Sequence, residues 1–155
     1  MPESWETRLT RWGFCLIPCY VGTGGRVTYI ASDWREMRVE VPLNPWTRNI
    51  VGTIFGGSMF GATDPMFMFM LMKVLGSDYI VWDKAGSIRF KKPGRSTLYG
   101  TFVVTEEDLK EIHAALADQP KMERTFHTHL VDKNGEVHAS IERLIHVRRK
   151  DSIPK

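Results

Sequence analysis

Ile54-Phe55-Gly56-Gly57-Ser58-Met59-Phe60-Gly61-Ala62-Thr63-Asp64-Pro65-Met66-Phe67-Met68-Phe69-Met70-Leu71-Met72 is the stretch that decides the fold. Its Met and Phe residues fall on every side of a helix, and a helix that is apolar all round must be covered all round. The length approaches that of a membrane span. Asp64, Pro65 and the glycines before them argue against one, because an isolated carboxylate is costly in lipid. The stretch therefore reads as a long, buried central helix, and either a sheet curls around it or a partner completes its burial. The Phe/Met run is core on this reading, although the flexibility of methionine also suits a cavity that adapts to a chain-like ligand.

The flanking sequence supplies the strands. Arg26-Val27-Thr28-Tyr29-Ile30 reads as one, and Glu36-Met37-Arg38-Val39-Glu40-Val41 alternates as a second that Pro42 and Asn44-Pro45 close. After the helix, Ser87-Ile88-Arg89-Phe90-Lys91 alternates up to Lys92-Pro93-Gly94, and Thr97 to Val104 forms the next strand. Asp83 and Lys84 flank a break before Ile88. The last two strands, Met122–Val131 and Glu136–Val147, surround Asn134-Gly135, a tight-turn signal. With those two as the loop, Lys133 opposes Glu136, Leu130 opposes Ala139 and Phe126 opposes Arg143. Met122, Phe126, Leu130, Ala139, Ile141, Ile145 and Val147 then share the face toward the helix. Arg124 and Arg143 fall on that same face and fit it only at its rim. His127, His129, His138 and His146 take the other face, where solvent or a second subunit meets them, and no metal site is expected.

Trp5, Leu9 and Trp12 recur at helical spacing and predict a short N-terminal helix. Leu109, Ile112 and Leu116 mark a second short helix, an insertion near 106–119 that Thr105 and Asp108 open as a capping box. Gly22-Thr23-Gly24-Gly25 is a turn and lacks the context of a phosphate loop. The expectation is thus an α+β fold in a single domain over 1–155: a curled antiparallel sheet around a long central apolar helix, with additional short helices. Composition agrees, with 155 residues, 43% hydrophobic and 25% charged, which suits one globular domain. A net charge of +3, without basic residues interleaved with aromatics, gives no footprint for nucleic acid. Cys15 and Cys19 alone are a weak metal or disulfide signal and read as free thiols of a cytoplasmic protein; no signal-peptide pattern precedes them.

Asn49-Ile50-Val51-Gly52-Thr53-Ile54-Phe55-Gly56-Gly57, with Thr63-Asp64-Pro65 after it, resembles the hotdog-fold thioesterase superfamily, and most closely its DUF4442 group near the phenylacetyl-CoA thioesterase branch. The family pattern is His-Gly-Gly at the helix entrance and an acidic residue two turns on. Gly56, Gly57 and Asp64 match it, Phe55 stands where the histidine would be, and Ile88 to Gly94 looks like the strand end beside a CoA entrance. The resemblance implies hydrolysis of an acyl-CoA thioester by a homodimer or homotetramer, with CoA as part of the substrate and no separate cofactor. Amides at Gly56 and Gly57 would receive the carbonyl's developing charge, and Asp64 would be general base or nucleophile. Asn49 would order the loop or the water. Lys91, Lys92 and Arg95 would meet CoA phosphates, with Phe55 and Asp83 at the pocket. No histidine precedes the helix, which disfavours a dehydratase. Two alternatives stay open: the glycines only permit close packing while Asp64 caps a helix with Pro65 at its first position, or the fold binds acyl-CoA or lipid without chemistry.

Overall fold

Ser4 starts the first helix with a reciprocal cap. Its hydroxyl accepts from the Thr7 amide, and the Thr7 hydroxyl accepts from the Ser4 amide, satisfying donors that a helix start leaves open. The computed structural model describes residues 1–152. Its elements are α1 (Trp5–Phe14), α2 (Pro18–Gly22), β1 (Arg26–Ile30), β2 (Glu36–Val41), α3 (Gly56–Thr63), α4 (Met66–Leu75), β3 (Tyr79–Phe90), β4 (Leu98–Val103), α5 (Glu106–Asp118), β5 (Lys121–Val131) and β6 (Val137–Arg149), with a 3-10 turn at Lys150–Ser152. Thr105 and Asp108 form the capping box of α5 that their spacing predicts.

All six strands join one antiparallel sheet in the order β1-β2-β4-β5-β6-β3. Two expectations fail here. The central stretch is not one long helix, and the sheet is not strongly curled around it. Proline lacks an N–H and clashes with the carbonyl four residues back, so Pro65 divides the stretch into helices of 8 and 10 residues. The sheet stays open, with β1 and β3 at its opposite ends. Apolar surface is stabilised by burial whichever element covers it, and here other helices provide much of the cover. Phe14 of α1, Tyr20 of α2, and Leu109, Ile112 and Leu116 of α5 share one core with Met66, Phe67, Met70 and Leu71 of α4.

The two later strand readings also change in detail. Asp83 and Lys84 are not a break: β3 runs through them, with a bulge between Asp83 and Ala85. Leu130 does oppose Ala139 and Phe126 does oppose Arg143, but the turn between β5 and β6 is wider than two residues. Val131 pairs with Val137 after a register shift, and the Asp132 amide donates to the Glu136 carbonyl at 3.0 Å. Lys133 therefore does not oppose Glu136. Gly135 takes φ 82, a left-handed conformation open to glycine, and the bulge absorbs the extra residue.

Phe67 is the centre of the main core, 2% exposed, stacked on Phe126 at 4.8 Å and edge-on to Phe102 at 5.1 Å between ring centroids. Phe67→Ala is expected to cost about 3–5 kcal/mol by removing buried surface and leaving a cavity. Urea denaturation of the two proteins checks this, and a loss below about 1 kcal/mol would show that the core collapses around the gap.

Candidate functional site

Arg143 of β6 occupies the core face of the sheet, where the sequence offers it no obvious place. It is only 2% exposed, and the structure shows how it is accommodated. Its cross-strand neighbour on β3 is Gly86, and a Cβ there would lie 2.5 Å from Nη1. The missing side chain gives the guanidinium room to reach α3. Nη2 donates to the Phe60 carbonyl at 3.1 Å and Nη1 donates to Asp64 Oδ1 at 2.6 Å. The guanidinium also lies over the Phe60 ring, 4.2 Å from its centroid, a cation–π geometry. Arg143 thus caps the C-terminal end of α3, where carbonyls lack helical partners and the dipole favours a cation. The sequence signal for this role was the misfit itself, a charged residue in an apolar alternation.

Asp64 differs from both local expectations. It does not cap α4, which begins at Met66 with Pro65 before it and no side-chain cap. It ends α3 instead, and its amide takes up the Gly61 carbonyl at 3.2 Å, the group that Pro65 would otherwise leave open. Nor is the carboxylate buried: 56% of its side chain is exposed, against 3% for Arg143. Asp64 borders an apolar groove of about 300 Å³ that Phe14, Ile17, Tyr20 and Pro65 also line. Asp83 completes the charge group. It is half-buried, its Oδ1 is enclosed without a hydrogen-bond partner among the described residues, and burial pushes its carboxyl up to about 6. The Arg143 charge opposes that rise and the Asp64 charge adds to it. One buried cation thus pairs with Asp64 and influences the charge of Asp83, two carboxylates of unlike surroundings, a combination common at functional sites.

The other candidate residues lie at the opposite end of α3. Phe55 precedes the helix and provides no side-chain cap, so the first amides are open to a ligand. Gly56 and Gly57 make room for rings: a Cβ on Gly56 would meet Phe90 Cζ at 2.7 Å, and one on Gly57 would meet Phe55 Cε1 at 2.3 Å. Asn49 orders the preceding turn, its Oδ1 accepting from the Val51 and Thr53 amides and its Nδ2 donating to Thr53 Oγ1. Asn49, Gly56, Phe90 and Lys91 border a pocket of about 370 Å³. Lys92 borders it too while pairing with Glu136, and Arg95 is exposed nearby in sequence but outside the lining. Asp64 follows Gly56 by eight residues, about 12 Å along a helix at 1.5 Å per residue. Within one chain the carboxylate and the open amides are therefore apart.

The histidines do not converge. His127 and His129 are exposed, and His146 stacks on Trp82 with ring centroids 4.1 Å apart. His138 is the exception in having two carboxylates near it: Asp132, Glu136 and His138 form a group with metal-ligand geometry at the β5–β6 turn. No described helix is long and apolar enough to cross a membrane.

A family model for a domain of unknown function, DUF4442, matches residues 6–147. The chain belongs to the DUF4442 family. Comparison with curated protein sequences finds no match for this DUF4442 chain. Among solved structures it is similar to a Pseudomonas aeruginosa protein of unknown function described as a probable thioesterase, with a TM-score of 0.80 at 20% identity over 96% of this chain and 98% of that one. It is similar to mouse thioesterase superfamily member 2, with a TM-score of 0.65 at 16% identity over 92% and 98%. It is also similar to the Escherichia coli PaaI protein of the phenylacetic acid degradation operon, with a TM-score of 0.60 at 18% identity over 92% and 95%. What the chain shares with these structures is the fold. At 9–20% identity these likenesses favour no specific thioesterase branch, so the expected closeness to the phenylacetyl-CoA branch is not met.

The Asp83 environment has a consequence for stability. Its folded value of about 6 stands above the ordinary 3.8, so the folded chain holds the proton more tightly than the unfolded chain. The charge therefore costs nothing below about pH 4, an increasing amount between about 4 and 6, and its full amount above that. Asp83→Asn is expected to raise the melting temperature at neutral pH, with the gain shrinking as pH falls toward about 4. Melting curves across that range check it, and an equal gain at both ends would contradict the assigned cause.

Proposed function

We propose that this protein is an acyl-CoA thioester hydrolase acting as a homodimer, in which Asp64 of one copy works on a thioester held at Gly56 and Gly57 of the other. The supporting observation is the Asp64–Arg143 pair. A buried guanidinium presents a carboxylate over an apolar groove, while the open amides of the same helix lie about 12 Å away. A single copy cannot bring the two to one carbonyl. Two copies related by a two-fold axis, with their α3 helices antiparallel, can. Trp46 (82% exposed), Ile50 (104%) and Val51 (71%), on the segment leading into α3, leave apolar surface exposed, and β3 is an edge strand that favours pairing or cover.

In this reading Asp64 takes a proton from water as the water oxygen bonds to the thioester carbon, or it attacks that carbon itself to form an anhydride that water then cleaves. Gly56 and Gly57 amides hold the oxyanion. Collapse expels the CoA thiolate, which takes up a proton, and leaves the free acid. Arg143 positions Asp64, and Asp83 tunes the charge beside it. Lys91 and Lys92 attract CoA phosphates at the pocket mouth, Arg95 adds positive charge close to them in sequence, Asn49 orders the loop, and Phe55 stands beside Gly57 at the helix entrance. One observation favours a second reading, binding of acyl-CoA or lipid without hydrolysis: the Phe55 ring is folded against Gly57, where the family pattern has a histidine.

Thiol release measured over short, medium, long and aromatic acyl-CoAs separates the two. The hydrolase reading expects turnover by the native protein and a loss of about 10²–10⁴-fold in Asp64→Asn, with binding and melting temperature retained. Acyl-CoA binding without thiol release by the native protein would establish the second reading. Light scattering at micromolar concentration is expected to give twice the chain mass, and a monomer there would rule out the shared site.

A further inference from the structure

We propose that the β5–β6 turn is a binding site for a divalent transition-metal ion, held by His138 Nε2, Asp132 Oδ2 and Glu136 Oε2. The ligand atoms of these three residues all lie within 4.8 Å of one another. Nε2 is 3.8 Å from Asp132 Oδ2 and 3.9 Å from Glu136 Oε2, too far for hydrogen bonds. Nδ1 lies 3.1 Å from the Pro93 carbonyl, which only accepts, so Nδ1 carries a hydrogen and Nε2 is the ring nitrogen that is turned inward and can offer a lone pair. That nitrogen is enclosed, without a hydrogen-bond partner among the described residues, on a side chain only 9% exposed. A lone pair and two carboxylate oxygens repel one another unless a positive charge lies between them. A proton is too small to bridge these distances, whereas an ion bound at about 2.0–2.2 Å from each ligand fits with a slight contraction.

The surroundings are those of a built site. A metal-bound histidine usually donates its second ring N–H to a carbonyl or carboxylate, the role Pro93 fills. The amides of Asn134 and Glu136 donate to Asp132 Oδ1 at 2.8 and 3.0 Å, which aims Oδ2, and Asn134 Nδ2 reaches Oδ2 only at 3.4 Å. Lys92 holds the other oxygen of Glu136. One imidazole with two carboxylates suits zinc or manganese better than calcium or magnesium, which prefer all-oxygen cages. Because Lys91 and Lys92 amides both donate to the His138 carbonyl, a bound ion would pin the turn to the Lys91–Gly94 wall of the pocket.

The test uses the full chain with Cys15→Ser and Cys19→Ser, which removes its two exposed thiols, after chelator treatment. Zinc titration followed by calorimetry is expected to give one ion per chain and a higher melting temperature. Asp132→Asn and Glu136→Gln are each expected to weaken binding by about tenfold or more. Glu136 is exposed on the turn, so that variant keeps the fold even if a change at the buried His138 does not. No saturable zinc binding at micromolar protein would overturn the proposal. Binding that is unaltered in both carboxylate variants would overturn it as well.

Discussion

The guanidinium of Arg143 is the constraint around which this molecule is arranged. A charged group on the core face of a sheet is tolerated only when paired and hydrogen-bonded, and its partners come from two other parts of the chain, β3 and the end of α3. Gly86 on β3 makes the space, the Phe60 carbonyl and ring receive the cation, and Asp64 neutralises it. β3, β6 and the end of α3 are thereby tied at one point. The same contact fixes where α3 stops, because the arginine satisfies a carbonyl that the next turn of helix would otherwise occupy.

The break at Pro65 gives this contact its chemical meaning. Asp64 ends α3 with more than half of its side chain exposed, away from a core in which a carboxylate is expensive. Splitting the segment lets α4 bury Met66, Phe67, Met70 and Leu71 while Asp64 stays at the surface above a groove. The sheet need not curl, because α1, α2 and α5 cover the helix sides that it leaves open. The α+β fold is thus reached with a shorter centre and a flatter sheet than an all-round apolar run suggests.

Much was legible in the sequence. Glu36–Val41 alternates in sequence and alternates in burial, Thr105 and Asp108 do form a capping box, and the register of Leu130 with Ala139 follows from counting outward from the turn. The turn itself was misread, because a bulge at Val131 restores the count after a wider loop. Counting residues cannot distinguish a tight loop from a wider one with compensation. Asp64, Gly56 and Gly57 could be picked out as residues, but their separation along α3 could not be turned into a site without three-dimensional placement.

Periodicity and residue type, which act over a few neighbours, determined the strands, the short helices, the apolar centre and the presence of a lone carboxylate within it. The tertiary structure decided what those residues face. Arg143 and Asp64 are 79 positions apart, and Pro93 and His138 are 45 apart. Such pairs carry no local signal, because their energy exists only once distant elements have excluded water between them. Sequence could show that Arg143 was out of place among apolar neighbours, but only the packed chain, with a glycine opposite and a helix end above, supplied the reason.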